Sequence, residues 1–214
     1  MGYRIGFDIG STTIKAVVLD ENNQICYKSY ERHKAQVRQK ALDKLVELKK
    51  YTKEPFKFAI SGSGALGLSE QGELPFVQEV FASATGVSKL YPETDCAIEL
   101  GGEDAKILFF QGSVEQRMNS TCAGGTGAFI DQMATLLNMS LEEMNEASLN
   151  YHRLYPIASR CGVFAKTDIQ PLINQGVDKC DLCASIFQAV VDQTITSLAQ
   201  GRKIEGNILF LGGP

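Results

Sequence analysis

The sequence predicts a layered α/β fold. Short strand-like runs separated by tight turns fill the first third, and amphipathic helical stretches fill the second half. Two acidic strand ends, at residues 8 and 99, each run into a glycine turn and out into another strand. The 214 residues suffice for one sizeable domain or two small ones.

In chain order, Tyr3–Phe7, Thr13–Leu19 and Gln24–Tyr30 read as strands, turned by Gly10-Ser11-Thr12 and Glu21-Asn22-Asn23. Residues 37–51 repeat Val37, Ala41, Leu42, Leu45, Val46 and Leu48 at helical spacing with lysines opposite. The basic stretch 32–53 is accordingly a solvated helix face. Phe56–Ile60 is a fourth strand, and Ser61-Gly62-Ser63-Gly64 a surface loop. Residues 76–90 read as helix, 95–100 as strand, and 105–110 with 114–118 as a hairpin around Gln111-Gly112-Ser113.

The second half turns helical. Residues 127–137 form one helix, and Ser140 with Glu143 makes a capping box for the next. Residues 163–175 are helical despite Pro171, which bends or restarts the helix. Residues 181–200 form a long amphipathic helix and 207–211 a closing strand. That strand is followed only by Gly212-Gly213-Pro214, without a partner helix, so a fragment of a longer chain is expected. The expected division is 1–95 and 96–214, the second part incomplete at its C-terminus.

A hydrophobic content of 44% with 21% charged residues is that of a globular protein. No apolar run approaches the ~20 residues that cross a bilayer, and the strand-like N-terminus lacks the features of a signal peptide. A cytoplasmic protein with no membrane partner is expected. A net charge of −4 and a pI near 5.3 argue against nucleic-acid binding. In the cytoplasm the cysteines at 26, 96, 122, 161, 180 and 183 are not a disulfide framework. Cys26 and Cys96 lie in strand-like runs and read as buried. His33 and His152, isolated among polar residues, read as exposed.

The turn Asp8-Ile9-Gly10-Ser11-Thr12-Thr13-Ile14-Lys15 offers backbone amides and hydroxyls to a phosphate, and Lys15 adds charge. Asp8, on the strand end, suits water bound to Mg2+. The P-loop spacing is absent. Glu99-Leu100-Gly101-Gly102-Glu103-Asp104-Ala105-Lys106 repeats the arrangement, as two similar half-domains gripping one nucleotide would require. The competing reading is two unrelated turns.

A resemblance becomes specific at Met118-Asn119-Ser120-Thr121-Cys122-Ala123-Gly124-Gly125-Thr126-Gly127-Ala128-Phe129, followed by Ser159-Arg160-Cys161-Gly162-Val163-Phe164-Ala165. With the two hairpins and Leu211-Gly212-Gly213-Pro214, these segments resemble the ATPase superfamily of actin, sugar kinases and the heat-shock chaperones. Within it the chain is most similar to the activators of 2-hydroxyacyl-CoA dehydratases and the ATPase subunits of benzoyl-CoA reductase. Its ending resembles the N-terminal module of long, multidomain members. The resemblance covers essentially the whole chain, and sugar kinases and actins lack the cysteine pair.

The resemblance implies an actin-like ATPase fold of two RNase H-like halves, binding ATP and Mg2+. Asp8, Glu99 and Asp104 would be catalytic. Gly10, Ser11, Thr12, Thr13 and Lys15 would face the phosphates, and Gly101, Gly102, Glu103 and Lys106 would form the second phosphate site. Gly124, Gly125, Thr126 and Gly127 would contact a cofactor, and Gly212 and Gly213 the adenosine. Cys122 and Cys161 would together give two of the four thiolates of a 4Fe–4S cluster shared across a homodimer, and the second subunit the other two. A ferredoxin or flavodoxin would supply the electron, and an acyl-CoA dehydratase or reductase component would receive it. The family usually carries Asp where this chain has Glu99, often Gln where it has Glu103, and in the smaller activators a basic residue at Ala128.

Three alternatives stay open. Cys180-Asp181-Leu182-Cys183 has the spacing of a metal or redox pair and could complete a four-cysteine site within one subunit. A sugar or small-molecule kinase would share the hairpins. A zinc-binding regulatory module would need no ATPase activity.

Overall fold

The computed structural model describes residues 2–53, 55–119, 124–158 and 161–213. The chain divides into two compact units, Met1–Leu90 and Tyr91–Pro214.

In the first unit β1 (Tyr3–Ile9), β2 (Thr13–Leu19) and β3 (Ile25–Arg32) form an antiparallel meander. β4 (Phe56–Ser61) joins β1 in parallel, giving the order β3-β2-β1-β4. Period-two alternation sends Ile5, Phe7 and Ile9 of β1 and Ile14, Ala16 and Val18 of β2 into the core. Helix α1 (Val37–Leu48) covers them with Ala41 and Leu48, and a 3-10 turn, Lys49–Thr52, finishes it.

α1 also buries Lys44, whose ammonium bonds Glu31 at 2.6 Å and Glu47 at 2.8 Å. Burial pulls that ammonium down, but hydrogen bonds with Glu31, Glu47 and Tyr27 outweigh it and hold its pKa above the ordinary lysine value. Both carboxyls are lowered in turn by their bonds to Lys44.

Past β4 the chain forms a short helix, α2 (Leu66–Gly72), in a stretch to which the sequence assigned no element. α3 (Glu79–Leu90) starts later than the residue 76 expected, because residues 75–77 are bound to β4. The Ile60 amide donates to the Pro75 carbonyl and the Val77 amide to the Ile60 carbonyl, so Phe76 is a one-residue parallel fifth strand.

The second unit repeats the sheet. β5 (Cys96–Leu100), β6 (Ala105–Phe109) and β7 (Glu115–Met118) are antiparallel. β8 (Ile208–Gly212) pairs in parallel with β5, in the order β7-β6-β5-β8. Helices α4 (Gly127–Leu137), α5 (Leu141–Ser148), α6 (Gly162–Asn174) and α7 (Lys179–Gln193) build a core around Phe129, Met133, Ile169, Leu182 and Ile186.

The capping box is present: the Glu143 amide donates to Ser140 Oγ at 3.1 Å and the Ser140 amide to Glu143 Oε2 at 2.7 Å. α6 runs through Pro171 without ending there. α7 continues into a π-helical stretch, Thr194–Ala199, and by length and composition Lys179–Ala199 could cross a membrane. More than half of its apolar window is buried inside the protein, where Leu182, Cys183, Ile186 and Val190 are core residues. A soluble protein's core helix passes the same test.

Two expectations are overturned. Cys96 is buried, but Cys26 is exposed, because β3 is an edge strand with one face open; the Cys26 thiol donates to the Val18 carbonyl at 3.4 Å. His33 is buried rather than exposed, at 4% accessibility, whereas His152 is exposed as expected.

The chain leaves His33 through a strained turn. Lys34 and Ala35 have φ of 48° and 62°, and the Gln36 amide closes on the His33 carbonyl at 2.8 Å. A side chain in the left-handed region costs about 1–2 kcal/mol. Ala35→Gly is therefore expected to raise stability by about 1 kcal/mol, read as a higher urea midpoint with unchanged slope.

Candidate functional site

The two hairpins share one construction. Asp8 pairs across the strands with Lys15, and Glu99 with Lys106. The turn closes with the Gly10 amide on the Thr13 carbonyl at 2.9 Å in one, and the Gly101 amide on the Asp104 carbonyl at 2.7 Å in the other. Behind each turn, the parallel strand ends in a glycine of positive φ, Gly62 (97°) or Gly212 (109°). A Cβ on Gly62 would overlap the Ile9 carbonyl, and one on Gly212 the Leu100 carbonyl. Glycine is required at both places by close approach as well as by φ.

The hairpins differ in how the lysine is used. Lys15 Nζ bonds Asp8 Oδ2 at 2.7 Å in a half-exposed pair beside exposed Ser11 and half-buried Thr12. Thr13 is buried. Lys106 is 3% exposed, with Glu99 at 3.8 Å and Asp104 at 4.0 Å, while Glu103 faces solvent. The other oxygen of Asp8, Oδ1, is buried and lacks a hydrogen-bond partner among the described residues. Desolvating a carboxylate oxygen without a donor is costly, so a cation or its water shell suits this atom. The residues present fit Mg2+ at Asp8.

The second turn is joined directly to the helix that follows the first cysteine segment. α4 begins at Gly127 behind Thr126, fully buried, with Gly124 and Gly125 buried as well. A helix start leaves amides without internal partners. Here the Gly127 amide donates to the Gly101 carbonyl at 2.9 Å and the Ala128 amide to the Gly102 carbonyl at 2.7 Å. Gly125 (φ 74°) packs against Gln193 near the end of α7.

Cys122 lies outside the described residues. Cys161 is the half-buried N-cap of α6, and the next residue, Gly162, sits against Phe129 and Gln132 of α4, where a Cβ would press on Gln132 Oε1. The helices that follow the two cysteine segments therefore meet. A thiol at a helix N-terminus fits an anionic metal cluster, because the helix dipole favours negative charge there.

The second cysteine pair has a different character. Cys183 is wholly buried, with its sulfur 3.8 Å from that of Met139, and burial pushes its thiol up to about 11. The Cys180 thiol is raised by its hydrogen bond to Asp178. Among the described residues no cluster of three or more His, Cys, Asp or Glu forms a metal site.

The segment from Tyr151 to Ala158, which leads to Cys161, has no regular structure yet is held by side chains. Asp181 Oδ1 accepts the His152 and Arg153 amides at 2.7 and 3.0 Å. Ser185 Oγ accepts the Tyr155 amide at 2.8 Å, and Asp168 Oδ2 the Ala158 amide at 2.8 Å. The two amides hold the Asp181 carboxyl below the usual aspartate range. Nothing in the sequence pattern signals these three residues, because their partners are main-chain groups.

Gly212 and Gly213 stand exposed at the end of β8. Beneath β8 a cavity of about 550 Å3 opens among Ile98, Leu100, Val190, Thr194 and Phe210, with Arg202 on its wall. No carboxylate lines it, so it is not a place for Mg2+.

Two sheets of one order, each ending in an acidic glycine hairpin, define an actin-like ATPase fold. The chain belongs to the BadF/BadG/BcrA/BcrD ATPase family, whose pattern matches residues 5–214. It is 30% identical to the activator of lactoyl-CoA dehydratase of Anaerotignum propionicum, over 99% of this chain and 83% of that protein. The crystal structure of component A of the Acidaminococcus fermentans (R)-2-hydroxyglutaryl-CoA dehydratase matches with a TM-score of 0.87 at 27% identity, over 100% of this chain and 83% of that one. The activator of the 2-hydroxyisocaproyl-CoA dehydratase from Clostridium difficile, solved with bound ADPNP, matches with a TM-score of 0.85 at 29% identity, over 99% of this chain and 80% of that one.

Two outcomes follow from the thiols. Among the described cysteines of the native protein, Cys26 is expected to react first with a thiol reagent and Cys183 last, as read by peptide mass spectrometry. The Cys183 pKa is raised on folding, so its contribution to stability is intact below about pH 9 and is lost as pH rises toward about 11. Cys183→Ala is expected to make that alkaline slope of the unfolding free energy shallower.

Proposed function

We propose that this chain couples ATP hydrolysis to delivery of one low-potential electron to a partner 2-hydroxyacyl-CoA dehydratase or benzoyl-CoA reductase-like enzyme. The observation that carries the reading is the pair of bonds from Gly127 and Ala128 to the carbonyls of Gly101 and Gly102. They make the second phosphate turn and the start of a cysteine-linked helix one rigid piece. Membership of an ATPase family and similarity to three dehydratase activators support the same reading.

In this reading Ser11, Thr12 and the amides around Gly10 take phosphate oxygens, with Lys15 compensating charge. Asp8 holds Mg2+ through its buried oxygen, and Glu99 and Asp104 orient water in the second turn. Gly124 to Gly127 contact the cofactor, and Gly212 with Gly213 abut the adenosine. Cys122 and Cys161 hold half of a 4Fe–4S cluster, and a second copy of the chain supplies the other half. The cluster, when bound, supplies one-electron transfer at low potential. A ferredoxin or flavodoxin is oxidised by one electron, and the partner enzyme is reduced by one. A change at Gly101 and Gly102 on hydrolysis is passed to α4, and through Phe129 and Gln132 to the start of α6. The setting is the cytoplasm.

Protein purified without air is expected to be brown, with about four irons and matching sulfide per dimer. Cys161→Ser should remove the colour; colour that survives in both this variant and Cys122→Ser refutes the ligand assignment. Zinc in place of iron would indicate a regulatory module. Phosphoryl transfer to a hydroxyl compound with neither metal would indicate a kinase. Asp8→Asn should lower kcat for phosphate release from ATP roughly a hundredfold.

A further inference from the structure

We propose that His33 is a positioning residue for the first phosphate turn, fixing the Gly10–Ser11 peptide so that its amide faces the nucleotide. The proposal rests on the reading of residues 8–15 as a phosphate-binding hairpin.

His33 directly follows β3 and grips the turn at two points. Its Nε2 lies 3.1 Å from the Gly10 carbonyl, and its main-chain amide donates to the Thr12 carbonyl at 3.1 Å. A carbonyl only accepts, so Nε2 carries the proton. The Gly10–Ser11 peptide is planar and trans, so a carbonyl turned toward the imidazole turns the Ser11 amide the opposite way. Ser11 is exposed, so a ligand can reach it. The Gly10 amide is already committed to the Thr13 carbonyl. The direction of the Ser11 amide is what the ring sets.

Two further observations point to the same role. Consecutive left-handed residues without glycine, Lys34 and Ala35, are a strained way to leave a strand, and the strain is spent on bringing a histidine beneath the turn. The ring is 4% exposed, and its Nδ1 has no hydrogen-bond partner among the described residues, so the bond to Gly10 is the ring's polar anchor. The second hairpin solves the same problem with other parts. There the carbonyls of Gly101 and Gly102 are captured by the amides that begin α4. In both hairpins, donors from outside the turn hold its carbonyls.

The test compares His33→Ala and His33→Gln in the full chain, with Mg2+ and ATP as the probe. Gln carries an N–H close to the place of the imidazole Nε2–H. His33→Ala is expected to raise KM for ATP about tenfold with kcat little changed, and His33→Gln to recover most of that loss. Hydrogen exchange of the peptide spanning residues 8–15, measured without nucleotide, should quicken in His33→Ala and return toward normal in His33→Gln. An unchanged KM and unchanged exchange in His33→Ala overturn the proposal. So does failure of Gln to rescue together with a wild-type KM that follows imidazole titration, since His33 would then meet phosphate as a cation. Faster exchange in a chain whose wild type neither binds nor hydrolyses ATP keeps the role of His33 at the turn and removes the phosphate reading instead.

Discussion

The pair of bonds from the first amides of α4 to the carbonyls of Gly101 and Gly102 is the constraint on which the second unit depends. A helix start carries unsatisfied amides and a partial positive charge, and a tight glycine turn carries carbonyls with nowhere to go. Joining them satisfies both sets at once and allows little slack, since each bond is shorter than 3 Å. Gly125 with positive φ and the fully buried Thr126 follow from the need to bring the chain into that position. Gly162 comes at the next step, where α6 starts close against the end of the Gln132 side chain and against Phe129 of α4.

The two units repeat one plan: sheet order, carboxylate–lysine register, turn closure and a glycine behind the carboxylate strand. They differ in how the charge is kept. Lys15 and Asp8 are about one-third exposed, so their attraction is screened by water and adds little to stability. Lys106 is buried beside the largely buried Glu99, with the more exposed Asp104 at 4.0 Å, so removing Lys106 or Glu99 would leave the other badly solvated. One hairpin therefore keeps a cation that can be re-aimed, and the other a fixed electrostatic element.

Much of this was legible in the sequence. Apolar strand-like runs between turns placed β1, β2 and β5, of which β1 and β2 bury alternate residues and β5 three in succession, and the turn glycines fixed the register that sets Asp8 opposite Lys15. The capping box announced α5 by a local rule that needs only four residues. Helix α2 went unread because its seven residues include Gly67 and Gly72 and bury only Ser69. Cys26 was misplaced because an apolar run does not say which face of an edge strand is covered. His33, Asp181 and Ser185 were invisible for a common reason. Each acts on main-chain groups far away in sequence, and such partners leave no periodicity and no motif.

The segment that leads to Cys161 shows what that kind of holding permits. Asp181, Ser185 and Asp168 recognise amide groups, which every residue but proline carries. The exposed side chains of Tyr151, His152, Arg153 and Leu154 are thus free to drift over evolutionary time without moving the thiol. Positions 168, 181 and 185 are not free, and proline is barred at 152, 153, 155 and 158, though not at 156, where it already stands. The side chains of residues 151–154 are the tolerant part, and the side chains that hold their backbone lie downstream in α6 and α7.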